Sequence, residues 1–111
     1  MEEKTLKEVC KLVGVTRRAV QGYEGAGLVT ATGRNKYGHL LYDETAVKKI
    51  QEIKQYQDFG FEVKEIKTLL KAPKEEYLKM MEKQLMVMQM ELQKLQINIE
   101  KAKEVIVEQR K

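Results

Sequence analysis

The chain has 111 residues with 21 Lys or Arg against 17 Asp or Glu, one cysteine and one histidine. That length provides one modest core, a single cysteine excludes an internal disulfide, and one cysteine with one histidine cannot build a Cys/His zinc cluster. No apolar run approaches the roughly 20 residues that span a membrane, and the charged start lacks a signal-peptide core, so a cytoplasmic protein is expected.

A first helix is predicted from Leu6 to Val13, opened by Thr5 and Glu8 as a capping box that satisfies two backbone donors. Gly14 ends it. Cys10, beside Val9 and Val13, is read as a small buried packing residue, with thiol sensing as the alternative. Val15 then turns the chain inward, and the Thr16 hydroxyl caps a second helix whose inner face is Ala19, Val20 and Tyr23. Residues 14 to 28 therefore read as the second half of a helix-turn-helix, a device that lays a short helix in the major groove of DNA. Arg17, Arg18 and Gln21 are left outside. The arginines suit phosphate oxygens or guanine edges, and the Gln21 amide has the geometry to pair with adenine. Two arginines alone are equally compatible with a solvated surface; the capped turn around them favours DNA.

After Leu28 the pattern becomes extended. Val29 to Thr32 and Leu40 to Tyr42 are predicted as two strands flanking the turn-rich segment Gly33 to Gly38. The tip of this wing would carry Arg34 and Lys36 to the sugar-phosphate backbone, with Tyr37 adding a hydrogen bond to phosphate. The bland alternative is a surface hairpin whose tyrosine covers the core. His39 is read as a surface or phosphate-proximal residue. It has no serine or paired cysteine to act with, because the chain contains no serine. No nucleophile-base pair and no glycine-rich phosphate loop after a strand is present, so neither an enzyme nor a cofactor site is expected. Residues 16 to 42 hold four cations against Glu24 alone, whereas the last 38 residues hold eight cations and seven anions. Positive charge is thus concentrated on the candidate DNA-reading elements.

Asp43 caps a third helix, with Val47, Ile50, Ile53 and Gln57 along its inner face and Gly60 closing it in the left-handed conformation. Phe61 is expected to pack back over that end. A fourth helix, Val63 to Lys71, sends Ile66, Leu69 and Leu70 to the core before Pro73 stops it.

In order, Gly14-Val15-Thr16 with Arg18, Tyr23 before Gly27-Leu28, Gly38-His39-Leu40-Leu41-Tyr42, and Asp58-Phe59-Gly60-Phe61 before Glu65-Ile66 and Leu69-Leu70 form a distinctive series. Over roughly residues 5 to 72 it resembles the N-terminal domain of the mercury-resistance-regulator (MerR) family of bacterial transcription factors. The resemblance implies a winged-helix dimer on an inverted-repeat operator, where bending and twisting of the promoter controls transcription. The chain departs from the family pattern at three places. Gln21-Gly22-Tyr23 stands where members have Arg-Tyr-Tyr, His39-Leu40 where a Tyr-Arg pair follows the wing glycine, and Glu62 where a Ser or Thr cap is usual. Gly22 costs on the order of 1 kcal/mol of helix stability against alanine. The residues expected to contact DNA are Thr16, Arg17, Arg18, Gln21 and Tyr23 from the helix-turn-helix, and Arg34, Lys36, Tyr37 and His39 from the wing.

In the tail, Leu78, Met81, Leu85, Met88, Leu92, Leu95, Ile99, Ala102 and Ile106 fall at alternating steps of three and four, an unbroken a/d seam. A helix from Lys74 to Gln109 would extend roughly 50 Å, and two copies are expected to pair; folding back within one chain is the weaker alternative. The e positions run Glu82, Gln89, Gln96, Lys103 and Arg110, acidic to basic. An antiparallel pair centred between Leu92 and Gln93 sets Glu82 near the partner's Lys103, although each such exposed pair contributes only about 0.2 to 1 kcal/mol. The resembling family also pairs antiparallel helices. Met86, Met90 and Ile97 lie off the seam, where they would pack on the partner's head or line a ligand or protein groove.

The expected architecture is mainly α: a winged helix-turn-helix domain over residues 1–72, with a β-hairpin wing, then a dimerisation helix over 74–111 forming an antiparallel dimeric coiled coil. No effector domain is expected: the tail lacks the cysteines that metal-sensing members of the resembling family carry, and a large extra domain like that of its drug-sensing members is not expected either. The expected function is sequence-specific regulation of transcription by a homodimer that binds and distorts double-stranded promoter DNA, with RNA polymerase as a candidate partner. The alternatives are an architectural, excisionase-like DNA-bending protein and a coiled-coil adaptor without DNA specificity.

Overall fold

Helices in the first 72 residues begin where a side chain takes over a backbone donor that helix geometry leaves unpaired. The structure, a computed structural model, describes residues 3–111. The Thr5 hydroxyl accepts the Glu8 N–H at 3.3 Å and the Glu8 carboxylate accepts the Thr5 N–H at 2.9 Å, which starts helix α1 (Leu6–Val13) with the expected capping box. Thr16 Oγ1 accepts the Ala19 N–H at 3.0 Å to start α2 (Arg17–Gly25), and Asp43 accepts the Ala46 N–H at 2.9 Å to start α3 (Glu44–Asp58). At α4 (Val63–Lys71) the unusual Glu62 is accommodated because the Glu65 carboxylate accepts its N–H at 2.9 Å.

Two of these helices end in the same way. Gly60, at φ 106, donates to the Gln57 carbonyl at 2.9 Å, and Phe61 reaches back to the Tyr56 carbonyl at 3.1 Å. Gly27, at φ 76, and Leu28 repeat the arrangement on Glu24 and Tyr23, both at 3.0 Å. This Schellman closure needs a left-handed residue, the conformation glycine adopts without steric cost. Phe61 is consequently buried over the end of α3.

The sheet differs from the sequence expectation in two ways. It has three strands, β1 (Lys4–Thr5), β2 (Gly33–Arg34) and β3 (Leu40–Tyr42), in the antiparallel order β1-β3-β2. The first wing strand lies at Gly33–Arg34 rather than at Val29–Thr32. Val29 is drawn into the core, and Thr32 serves as a junction: its hydroxyl accepts the Asp43 N–H at 2.8 Å, while its own N–H donates to the Leu41 carbonyl at 2.8 Å. Thr5 and Gly33 both pair with Leu41, and Arg34 pairs with Leu40.

Val9, Val20, Tyr23, Tyr42, Ile50, Ile53, Ile66 and Leu69 are the fully enclosed side chains around which α1 to α4 and β3 pack. Cys10, expected to be buried, is half-buried, because Val9 takes the innermost position of α1; Ala19 and Leu70 are likewise half-buried. The chain divides into two compact units, one ending at Ala72 and the other Pro73–Lys111. The second unit consists of α5 (Lys74–Gln109), 36 residues with none buried. Leu78, Leu85, Leu92, Leu95, Ile99 and Ile106 on its seam are 44 to 58% exposed.

The Glu8 carboxyl is held below its ordinary value, first by the Thr5 N–H that it accepts and then by the Thr5 hydroxyl. Because the folded value lies below the unfolded one, this contribution is present above the unfolded carboxylate value and is lost as pH falls through the folded value. The Thr5 amide resonance should therefore follow a titration centred below about pH 4.3, the ordinary glutamate value. Glu8→Ala should abolish that titration and lower the thermal midpoint.

Candidate nucleic-acid interface

The outer side of α2 presents Arg17, Arg18 and Gln21, all exposed, on a helix with no acidic residue in its first turn. The positive end of the helix dipole therefore adds to the two guanidinium groups. Thr16 is also exposed. Its oxygen accepts the Ala19 N–H and its own O–H remains a donor.

Tyr23 requires a correction. It was expected both on the inner face and among the DNA contacts, and the structure places it inside, 1% exposed, with its hydroxyl donating to Gln57 Oε1 at 2.5 Å. Burial raises its phenol value, with Lys54 and Asp58 acting as opposing smaller influences. The same periodicity that brings Val20 to the core brings Tyr23 with it, and Gln57 supplies the acceptor a buried hydroxyl needs. Tyr23 thus ties α2 to α3 from within the core rather than standing on the outer side with Arg17, Arg18 and Gln21.

A second tether joins α2 to the sheet. The Tyr42 hydroxyl donates to Glu24 Oε1 at 2.5 Å, and burial, followed by this bond to a carboxylate, pushes the phenol well above the ordinary tyrosine range. Sequence reasoning missed this pair. Glu24 stood out there only as the one anion in a basic segment, and that oddity was the available signal.

In the wing, Asn35 organises the turn. Its side-chain oxygen accepts the Tyr37 N–H at 2.9 Å and the His39 N–H at 3.0 Å, its backbone N–H donates to the His39 carbonyl at 3.0 Å, and Gly38 turns the chain at φ 83. Asn35 was also missed, although asparagine commonly folds its side chain back on a turn in this way. Arg34 is not at the tip as expected. It pairs in β2, and its guanidinium donates to the Gly38 carbonyl at 2.7 Å. The tip consists of Lys36 and Tyr37, the ammonium lying 5.1 Å from the ring centroid and the tyrosine 72% exposed. His39 is exposed beside them, its ring 6.3 Å from that of Tyr37.

The structure therefore brings Arg17, Arg18, Gln21, Thr16 and the wing residues to the surface of the first unit and removes Tyr23. Among the described residues, no group of three or more His, Cys, Asp or Glu side chains could hold a metal ion, and no helix is long and apolar enough to cross a membrane.

Residues 4–73 match the sequence model of the MerR HTH family regulatory proteins. The chain belongs to the MerR family. Nodulation protein NolA of Bradyrhizobium elkanii is 32% identical over 65 residues, which is 59% of this chain and 30% of that protein. The HTH-type transcriptional activator TipA of Streptomyces coelicolor is 32% identical over 66 residues, 60% of this chain and 26% of TipA. The chain thus spans less than a third of the length of either relative. Among solved structures, a MerR family transcriptional regulator from Bacillus thuringiensis is 23% identical with a TM-score of 0.70, covering 96% of this chain and 99% of that one. HiNmlR, a MerR family regulator lacking the sensor domain and bound to promoter DNA, is 19% identical with a TM-score of 0.72, covering 89% of this chain and 80% of its own. At these identities the structures establish a shared MerR fold.

Two substitutions test how α2 is held. A Cβ at Gly22 meets nothing within 4 Å, so Gly22→Ala should raise stability by about 0.5 to 1 kcal/mol in urea unfolding. Tyr23→Phe removes the donor to Gln57 and should lower stability by on the order of 1 kcal/mol in the same measurement.

Proposed function

We propose that this MerR family chain is a sequence-specific regulator of transcription that binds an inverted-repeat promoter site as a homodimer and distorts it. The observation that carries this reading is the capped α2 with Arg17, Arg18 and Gln21 exposed along one side and no acid in its first turn, adjoining a wing tipped by Lys36 and Tyr37. Arg18 and Gln21 are assigned to base edges in the major groove, whereas Arg17, Thr16, Lys36, Tyr37, Arg34 and His39 are assigned to the backbone. Tyr23 acts only through the pose of α2. The promoter-bound state of the structural neighbour HiNmlR supports the choice of DNA as partner.

Pairing is assigned to α5. A helix of 36 residues with no buried side chain and six seam residues about half exposed leaves an apolar stripe in water. A second copy would cover it, since the a/d spacing is that of helices that pack knobs into holes. The antiparallel sense rests on Glu82 meeting the partner's Lys103. That match competes with a local bond, because Lys103 Nζ lies 3.2 Å from Glu100 of its own helix. RNA polymerase at the promoter is the further partner this reading entails, and no cofactor is assigned.

Selection of bound fragments from genomic DNA should recover an inverted repeat near a promoter, with affinity falling steeply as salt rises. Arg18→Ala should weaken that site by about 1 to 3 kcal/mol and relax the base preference beneath it. Recovery of recombination-site DNA without an effect on transcription would replace the regulator with an architectural protein, and no preference over random DNA would favour an adaptor. Leu85→Glu combined with Leu92→Glu should convert a dimer to a monomer in sedimentation.

A further inference from the structure

We propose that the cleft bounded by the start of α1, the start of α2 and the wing holds one backbone phosphate of the bound DNA, through Lys7, Arg17 and His39. The assignment rests on the DNA-binding reading above and adds to it a site and a residue, Lys7, that the sequence did not single out.

The cleft has a volume of about 440 Å³, and its lining includes Thr5, Lys7, Arg17, His39 and Leu40. Lys7, Arg17 and His39 come to its lining from three separate segments of chain, and among the described residues no acidic side chain lines it. Convergence of this kind differs from a solvated charge run, in which neighbouring cations along one helix point apart. The first turn of α1 adds to the field. Its capping box occupies the N–H groups of Thr5 and Glu8, while those of Leu6 and Lys7 lie where helix geometry offers no carbonyl, and both residues line the cleft. Glu8, the acid of that box, has its carboxylate engaged by the Thr5 N–H.

His39 enters this site as a donor through Nε2. The Asn35 side-chain oxygen is committed to the Tyr37 and His39 N–H groups, so its amide nitrogen is the atom that faces His39 Nδ1, at 3.5 Å. The contact is long, but its sense follows from the two shorter bonds. In that contact Nδ1 is the acceptor, which leaves Nε2–H as the donor of the ring. A phosphate oxygen needs such an N–H. The location favours DNA as the source of the phosphate, because the cleft is lined both by the start of α2, assigned above to the groove, and by the wing, assigned above to the backbone.

The test uses the full-length protein and mixed-sequence duplex DNA, which suffices because phosphate contacts do not depend on sequence. Lys7→Gln and Arg17→Gln should each reduce the slope of log affinity against log salt by about one per bound head. Lys101→Gln on α5 should leave the slope unchanged. His39→Gln, whose amide nitrogen stands in for Nε2, should bind within twofold of the parent, whereas His39→Ala should bind several-fold more weakly. Thermal melts of the same variants separate loss of contact from loss of fold. If the parent binds duplex DNA and Arg18→Ala weakens it while Lys7→Gln does not alter the slope, the cleft assignment fails and the DNA-binding reading stands. Equal slope changes for Lys7→Gln and Lys101→Gln would also overturn it. Absence of any duplex binding by the parent defeats both. Inorganic phosphate titrated without DNA should leave the Lys7 and His39 resonances unmoved at millimolar concentration; tight saturable shifts would assign the cleft to a free phosphoryl ligand instead.

Discussion

A buried phenol must find an acceptor, and in this protein two of them fix the pose of α2. Tyr23 leaves the helix on its inner side and ends on Gln57 of α3, while Tyr42 leaves β3 and ends on Glu24 of α2. Each ring fills core volume, and each hydroxyl is costly to bury unless bonded. The consequence is directional. A helix held only by apolar packing can slide or rotate at small cost, but one tied by polar contacts to a helix and to a strand has few alternatives. The outward direction of Arg17, Arg18 and Gln21 is set from beneath by this pair of tethers.

Much of this arrangement was legible in the residues because helix capping is local chemistry. Thr5 with Glu8, Thr16 with Ala19 and Asp43 with Ala46 each pair residues three apart, and the glycines at 27 and 60 stand where a left-handed closure is needed. The wing was less legible. Strands of two and three residues carry no alternation to count, so the β-prone run from Val29 to Thr32 drew the strand toward itself when its real work was to enter the core and brace Asp43. Long-range polar pairs were barely legible: Glu24 stood out as a lone anion, but nothing in its neighbourhood names Tyr42. Tyr23 shows the conflict most clearly: periodicity placed it inside while it was also counted among the DNA contacts, and the structure has it inside with Gln57 as the acceptor its hydroxyl needs.

The helix α5 obeys a different economy from the first unit. There the apolar residues converge on an enclosed centre, whereas α5 keeps leucines, isoleucines and methionines exposed along its length. The ion pair Lys103 with Glu100 within it, and that of Lys111 just past its end with Glu108, are local and exposed, so they add little to its persistence. An isolated helix in water is marginal even with good propensity. The stability of α5 is therefore tied to whatever covers its stripe, and protein concentration enters its folding equilibrium if that cover is a second copy.

β3 is the shared strand of the sheet, bonded to β1 on one edge and to β2 on the other. The root of the wing is thereby clamped from both sides, and Thr5, which holds one of those edges, also caps α1. A force applied to the wing tip has little freedom to be absorbed at Leu40 to Tyr42. Moving the wing root would disturb the pairing of β3 on both edges at once, and through Thr5 it would reach the cap of α1.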